Sequence, residues 1–189
     1  MSRAVQEAIL ARYGAHVVET HSHLGDDTVV LRREGLLDVC RYLKHDADMR
    51  FDMPVDVTAV DLLEYPGHSG PRFVVVYHFY STALKHRIRL RVPLEEDDCR
   101  VPSLTSLWRG VNWFEREAWD MFGVRFEGHP DLKRILLYEE FEGHPLRKDY
   151  PLRGYQPLIP IAHLAGDAED PKMREVDLNY IPHFEGSKS

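Results

Sequence analysis

The sequence predicts an α+β fold: a two-layer domain of order α-β-β-α-β-β-β with a mixed sheet, followed by a helix and a long extended C-terminal arm. Three observations carry this. Strand-like runs come in groups separated by two helical stretches, not in strict alternation with helices, which favours α+β over a doubly wound sheet. Residues 86–94, "HRIRLRVPL", set Ile88, Leu90, Val92 and Leu94 against Arg87, Arg89 and Arg91 with the period of two that a half-buried strand requires. From Val124 to the end, seven prolines break any long element.

The elements follow in order. Residues 3–13 place Val5, Ile9, Arg12 and Tyr13 at helical spacing, with Gly14 where a left-handed cap is wanted. "HVVET" (16–20) and "DTVVLRR" (27–33) are short β-branched strands around a Gly-Asp turn, a hairpin signal. A second helix over 35–46 puts Leu36, Val39, Cys40 and Leu43 on one face. Three strands then run around 55–63, over 72–81 and over 86–94, the first two joined by the turn-rich "YPGHSGP". Helices on one side leave the other sheet face partly open.

"NWFEREAWDMFG" predicts a further helix. Asn112 stands as its cap with Glu115 at the reciprocal capping-box position, Phe114, Ala118, Met121 and Phe122 form the apolar face, and Gly123 stops it. The chain thus divides into a globular part, 1–123, and an extended arm, 124–189. The arm has no strand pattern, yet Ile135, Leu136, Leu137, Tyr138, Tyr150, Tyr155, Ile159 and Ile161 are too apolar for a disordered linker. Their burial against a partner protein is the expectation.

Composition bounds the function. The 189 residues carry 24 basic and 31 acidic side chains, net −7, and no basic patch long enough to track phosphates, which argues against nucleic acid. Lys85, Arg87, Arg89 and Arg91 are followed at once by Glu95, Glu96, Asp97 and Asp98, a mixed and solvated edge. Cys40 and Cys99 lie far apart and can build neither an iron–sulfur nor a Cys-rich zinc site, so two reduced thiols are expected. No apolar run approaches the roughly 20 residues of a membrane helix.

The chemistry-bearing residues cluster in 112–150. "Gly-His-Pro" occurs twice, at His129 and His144. Histidine before proline is pushed toward an extended backbone and glycine before it permits a reversal, so each triplet reads as a rigid corner that aims an imidazole. No ligand spacing for a metal accompanies them. Glu115, Glu117 and Asp120 could pair as acid and base on neighbouring turns. Arg116 among them, with Lys133, Arg134, Arg147 and Lys148 downstream, makes ion pairing the stronger reading, and Arg147 with Asp149 offers a bidentate or cross-subunit pair. Trp113 and Trp119 are core or interface anchors before they are a ligand cradle. No nucleophile motif or phosphate loop appears.

These residues carry a resemblance. "EREAWDMFGVRFEGHPDLKRIL" (115–136) resembles the signature of the C subunit (30 kDa subunit) family of the proton-translocating NADH:quinone oxidoreductase, respiratory complex I. Glu115, Arg116, Glu117, Asp120, Met121, Phe122, His129, Lys133, Ile135 and Leu136 fill its places, and "EGHPLRKDYPL" (142–152), with Tyr150, is similar to a second motif. The resemblance covers about residues 1–155. It implies a non-catalytic subunit with no cofactor of its own, FMN and iron–sulfur clusters residing in neighbouring subunits. Its partners would be other members of the complex, chiefly the D-type subunit of the quinone module, with the charged signature residues pairing at that interface. It also implies a peripheral position on the cytoplasmic face of a bacterial cell membrane. The equivalent subunit of an energy-converting hydrogenase-type assembly, and a free-standing hydrolase using Glu115, Glu117 or a Gly-His-Pro histidine, are the alternatives.

Overall fold

In a computed structural model the described residues are 2–153 and Gln156. They form α1 (Ser2–Tyr13), β1 (Val17–His23), β2 (Asp26–Leu31), α2 (Leu36–His45), β3 (Met53–Asp61), β4 (Phe73–Ser81), β5 (His86–Leu94), β6 (Arg100–Pro102), α3 (Val111–Phe122) and β7 (Arg125–Glu127). The sheet order is β1-β2-β5-β4-β3, with β2 and β5 parallel and every other neighbour antiparallel, so the sheet is mixed as expected.

One face of this sheet holds the core. Val29 and Leu31 of β2, Ile88, Leu90 and Val92 of β5, Val75, Tyr77 and Phe79 of β4, and Val57 and Ala59 of β3 meet Val5 and Ile9 of α1, Leu36, Val39, Cys40 and Leu43 of α2, and Val111 and Ala118 of α3. These are the alternate residues of each strand and the i, i+3, i+4 residues of each helix, the two periods by which apolar side chains reach one side. The opposite face carries Thr58, His78, Tyr80 and the three arginines of β5, with Val60 39% exposed. Gln6 ties α1 to the β1–β2 hairpin by donating to the carbonyls of His21 and Thr28.

Local details depart from expectation at three places. Gly14 opens a 3-10 turn, Gly14–His16, and is not left-handed, and β1 starts directly after that turn at Val17. The hairpin loop is Leu24-Gly25, both at positive φ (53° and 85°), the hand that matches strand twist in a two-residue loop. The α3 helix begins at Val111 after Gly110, with no side-chain cap; Asn112 does not cap it, and Glu115 turns away from the helix start to bind residues 103 and 104. Its end is as the sequence implies: Gly123 is left-handed, φ 79°, and its amide bonds the Trp119 carbonyl.

Two strands have no counterpart in the sequence reading. The parallel pair β6 and β7 joins Arg100–Pro102 to Arg125–Glu127, and Val101, Val124 and Phe126 are core residues. Chain on either side of Gly123 is therefore packed together, and residues through Gln156 belong to the same compact unit. Tyr155, Ile159 and Ile161 lie outside the described residues.

The Tyr77 hydroxyl is buried with no hydrogen-bonding partner. Since an unsatisfied buried hydroxyl costs about 1–3 kcal/mol, Tyr77→Phe should leave stability unchanged or raise it by about 1 kcal/mol. Chemical unfolding of the two proteins checks this; a loss above about 1 kcal/mol would mean the hydroxyl has a partner.

Candidate functional site

The signature residues come together along one edge of α3, where residues 129–150 run as a strap held mainly by polar contacts. At its start His129 donates from Nε2 to the Asn112 carbonyl at 3.2 Å, while its Nδ1 accepts the Asp131 amide at 3.1 Å. Arg116 then donates to the carbonyls of Lys133 (3.0 Å) and Arg134 (2.8 Å).

Asp120, fully buried on the next turn of α3, is the centre of the arrangement. Its Oδ2 accepts the amides of Ile135, Leu136 and Leu137 at 3.0, 2.9 and 3.0 Å, and its Oδ1 accepts Arg134 Nη1 at 2.7 Å. Burial alone would raise this carboxyl, but Arg134 and the three amides outweigh it and hold it below the ordinary range. Arg134 spends its other nitrogen on the carbonyls of Phe141 (2.6 Å) and Gly143 (3.1 Å) and lies over the rings of Trp119 and Phe141.

The second Gly-His-Pro corner closes the helix end. A helix leaves its last four carbonyls without intrahelical donors. Here Gly123 N donates to Trp119 O (2.8 Å), His144 Nδ1 to Asp120 O (2.9 Å), Leu146 N to Met121 O (3.1 Å) and Arg147 Nε to Phe122 O (2.7 Å). All four are satisfied. Gly123 is required for this closure, because a Cβ there would lie 2.6 Å from Arg147 Nη2 and 2.7 Å from the His144 ring. Burial lowers both His129 and His144 below the usual histidine value, so each serves as a neutral hydrogen-bonding ring.

Among the described residues Arg147 does not pair with Asp149 or any other carboxylate: besides Phe122 O it faces the Phe73 ring at 5.0 Å. Asp149 instead takes Arg72, with contacts of 2.7 and 3.1 Å. Arg72 also grips Asp61, the buried last residue of β3, at 2.8 and 3.0 Å, and Asp61 in turn accepts the Lys148 and Leu63 amides. Burial pushes the Asp61 carboxyl up, yet Arg72 and these two amides prevail and bring it to about 2. Sequence reasoning does not single out Asp61 and Arg72; an arginine that joins a carboxylate 11 positions before it to another 77 positions after it leaves no local pattern. Tyr150 stacks on Phe141 at 6.1 Å. Lys133 pairs with Asp131 at the surface, Lys148 is exposed, and Glu117 is exposed on the outer side of α3.

Acid–base chemistry from the α3 carboxylates is not supported by this geometry. Glu115 is fully buried, Asp120 is saturated with donors, and Glu117 stands on the surface, so no two of them face one cleft. Among the described residues no three His, Cys, Asp or Glu gather as metal ligands. Cys40 is buried and Cys99 partly so; burial raises both thiols, Cys99 to about 11.

The pattern of the family described as respiratory-chain NADH dehydrogenase, 30 Kd subunit, matches residues 29–156, from β2 through the whole strap. The chain belongs to this family. A C subunit of the NADH-quinone oxidoreductase of Rhizobium meliloti, the one numbered 2, is 44% identical over 178 residues, 93% of this chain and 92% of that protein. The C subunit of the NADH-quinone oxidoreductase of Geobacter sulfurreducens is 43% identical over 143 residues, 76% of this chain and 85% of that one. Among solved structures, a trypsin-resistant fragment (1-134) of Nqo5 is 36% identical with a TM-score of 0.58, covering 69% of this chain and 98% of the fragment. A chain of an archaeal membrane-bound sulfane sulfur reductase shares the fold, with TM-score 0.64 at 20% identity, over 90% of this chain and 92% of that one. The family match thus takes in Asp120, Arg134, His144 and Arg147 together, the residues that bind strap to helix.

Arg147→Ala removes a charged donor from Phe122 O and a cation from Phe73, and should cost about 2–3 kcal/mol in thermal or chemical unfolding; Arg147→Lys recovers part of it. A change below about 0.5 kcal/mol would mean water replaces the guanidinium without loss. For Asp61, whose folded value lies below its unfolded one, the stabilisation is present above about pH 4 and lost as the pH falls toward 2. The gap between wild type and Asp61→Asn, about 2 kcal/mol at neutral pH, should therefore narrow over that window and stay level above pH ~5. A gap that persists unchanged at pH ~2.5 would contradict this.

Proposed function

We propose that the chain is a non-catalytic structural subunit of the peripheral arm of an NADH:quinone oxidoreductase. It stabilises the quinone-reducing module, and so supports electron transfer from NADH to quinone coupled to proton translocation. One observation carries the reading: Arg134, His144 and Arg147 of the strap bind inward to α3, while Leu136, Tyr138 and Leu146 of the strap stand 62%, 40% and 50% exposed, with Leu152 just beyond it 100% and Trp113 of α3 69% exposed. Large apolar side chains held outward on a fixed backbone suit a docking surface, because their ordering is already complete before a partner arrives. The D-type subunit of the quinone module is the partner proposed, with the cluster-bearing subunits beside it. The Rhizobium and Geobacter relatives, both C subunits of NADH-quinone oxidoreductases, support this assignment.

We assign FMN and iron–sulfur clusters to neighbouring subunits; among the described residues no three His, Cys, Asp or Glu gather as metal ligands. Among the described residues no helix is long and apolar enough to cross a membrane. Attachment is therefore proposed to run through the complex, on the cytoplasmic face of the bacterial cell membrane.

The test is assembly beside turnover. Trp113→Ala, at the exposed surface, should cost about 2 kcal/mol in association, roughly 30-fold, read as loss of assembled complex on native gels. Complex that does form should keep its NADH:quinone activity per flavin. Full assembly with turnover cut a hundredfold would show that the surface serves the chemistry, and the scaffold role would fall.

A further inference from the structure

We propose that Glu115 is a proton-exchanging group buried in the core and reached from solvent through the hydroxyls of Ser103 and Thr105, a pH-sensitive joint between α3 and the turn that precedes it. The geometry is a chain of three groups. Glu115 is fully buried, and its Oε2 lies 2.6 Å from Ser103 Oγ while Oε1 accepts the Leu104 amide at 2.7 Å. Ser103 Oγ is 2.8 Å from Thr105 Oγ1. Thr105 is partly exposed and lines an open cavity of about 670 Å³ together with Arg109, Asn112 and Trp113.

Among the described residues nothing positive faces the carboxyl. The titratable groups that feel its charge are Tyr77 of β4 and Cys40 of α2, both fully buried and both held in their neutral forms by burial. Asp120, five positions along the same helix, shows what an ionised carboxylate needs here: an arginine and three amides. Glu115 has one amide and one hydroxyl. Burial accordingly dominates and raises it to about 7, the Ser103 and Leu104 bonds opposing only in part.

The hydroxyls make exchange possible without opening the core. With Glu115 protonated, Oε2–H donates to Ser103 Oγ, and the Ser103 proton points to Thr105 Oγ1. On ionisation the Glu115 proton passes to Ser103 Oγ, the Ser103 proton to Thr105 Oγ1, and the Thr105 proton to water. Both hydroxyls end reversed, each again holding one proton, and Ser103 now donates to the carboxylate. Because the folded value exceeds the ordinary one of 4.5, the folded state holds the extra proton between about pH 4.5 and 7. The stabilisation is complete below that window and lost as the pH rises through it, because the buried charge weighs against the packed state although Ser103 and Leu104 still donate to it, so α3 and the turn open more readily on the alkaline side.

The experiment is infrared titration and amide exchange on the full chain. Wild type should show a protonated-carboxyl C=O band that disappears as the pH rises through neutrality and is absent from Glu115→Gln. After a pH jump, Thr105→Val should keep the midpoint but slow the loss of the band at least tenfold. Amides of the 103–105 turn and the first turn of α3 should exchange several-fold faster in wild type than in Glu115→Gln at one alkaline pH, and equally at pH ~5. Thr105→Val leaves the carboxyl in place, so the kinetic arm stands even where Glu115→Gln folds poorly. A band titrating in the ordinary carboxylate range, an unchanged rate in Thr105→Val, or equal alkaline exchange in the two proteins would overturn the proposal.

Discussion

Asp120 sets the terms for everything on its side of the molecule. A carboxylate taken fully out of water cannot stay ionised unless donors surround it, and α3 offers none, since its own amides are engaged within the helix. The chain meets the requirement by bringing Arg134 and the amides of residues 135–137 back across the helix, fifteen or so positions downstream. Once those groups are in place the backbone of 133–137 has one path. Arg134 then draws in the carbonyls at 141 and 143, and the second corner falls where its histidine and arginine can take the last carbonyls of α3. The strap is thus specified by hydrogen-bonding need more than by apolar burial.

That difference bears on function. A segment packed through its apolar side chains would have none to spare. Here polar groups do much of the holding, and Leu136, Tyr138 and Leu146 of the strap stay at the surface. A second anchor, the Asp61–Arg72–Asp149 group, fixes the end of the strap to the β3–β4 end of the sheet, so the outward surface rests on both layers of the domain. Glu115, one and a half turns from Asp120, has the opposite environment and the opposite tendency, up where Asp120 goes down. Two carboxylates on one helix are set apart by which donors the tertiary structure brings to each.

Much of this could be read from residues alone. The five long strands and three helices follow from β-branched runs between turn residues, the alternation of 86–94 and apolar spacing of three to four, all of which are local. Gly123 as a helix stop and the two Gly-His-Pro triplets as corners are also local: Gly128 and Gly143 both take positive φ, 81° and 88°, and each histidine is a hydrogen-bonded ring. The short strands β6 and β7 were not legible, because three residues are too few to show a period and their pairing is decided by what packs beneath Val101 and Phe126. The capping role expected of Asn112 and Glu115 rested on a true local pattern that lost to a tertiary one, the turn at 103–105 lying within reach of a Glu115 side chain that the core covers.

What the sequence by itself determined is the fold class, the order of the long strands and helices and the family motif, since periodicity, glycine and proline stereochemistry and the spacing of a motif are all properties of neighbours along the chain. What only the tertiary structure decided is the partnership of each charge. Arg147 and Asp149 read as a bidentate or cross-subunit pair; in the fold Arg147 closes a helix and Asp149 joins Arg72. Coulomb attraction and hydrogen bonding act between groups close in space, whatever their separation in sequence, so the sequence shows which charges exist and the fold alone decides which of them meet.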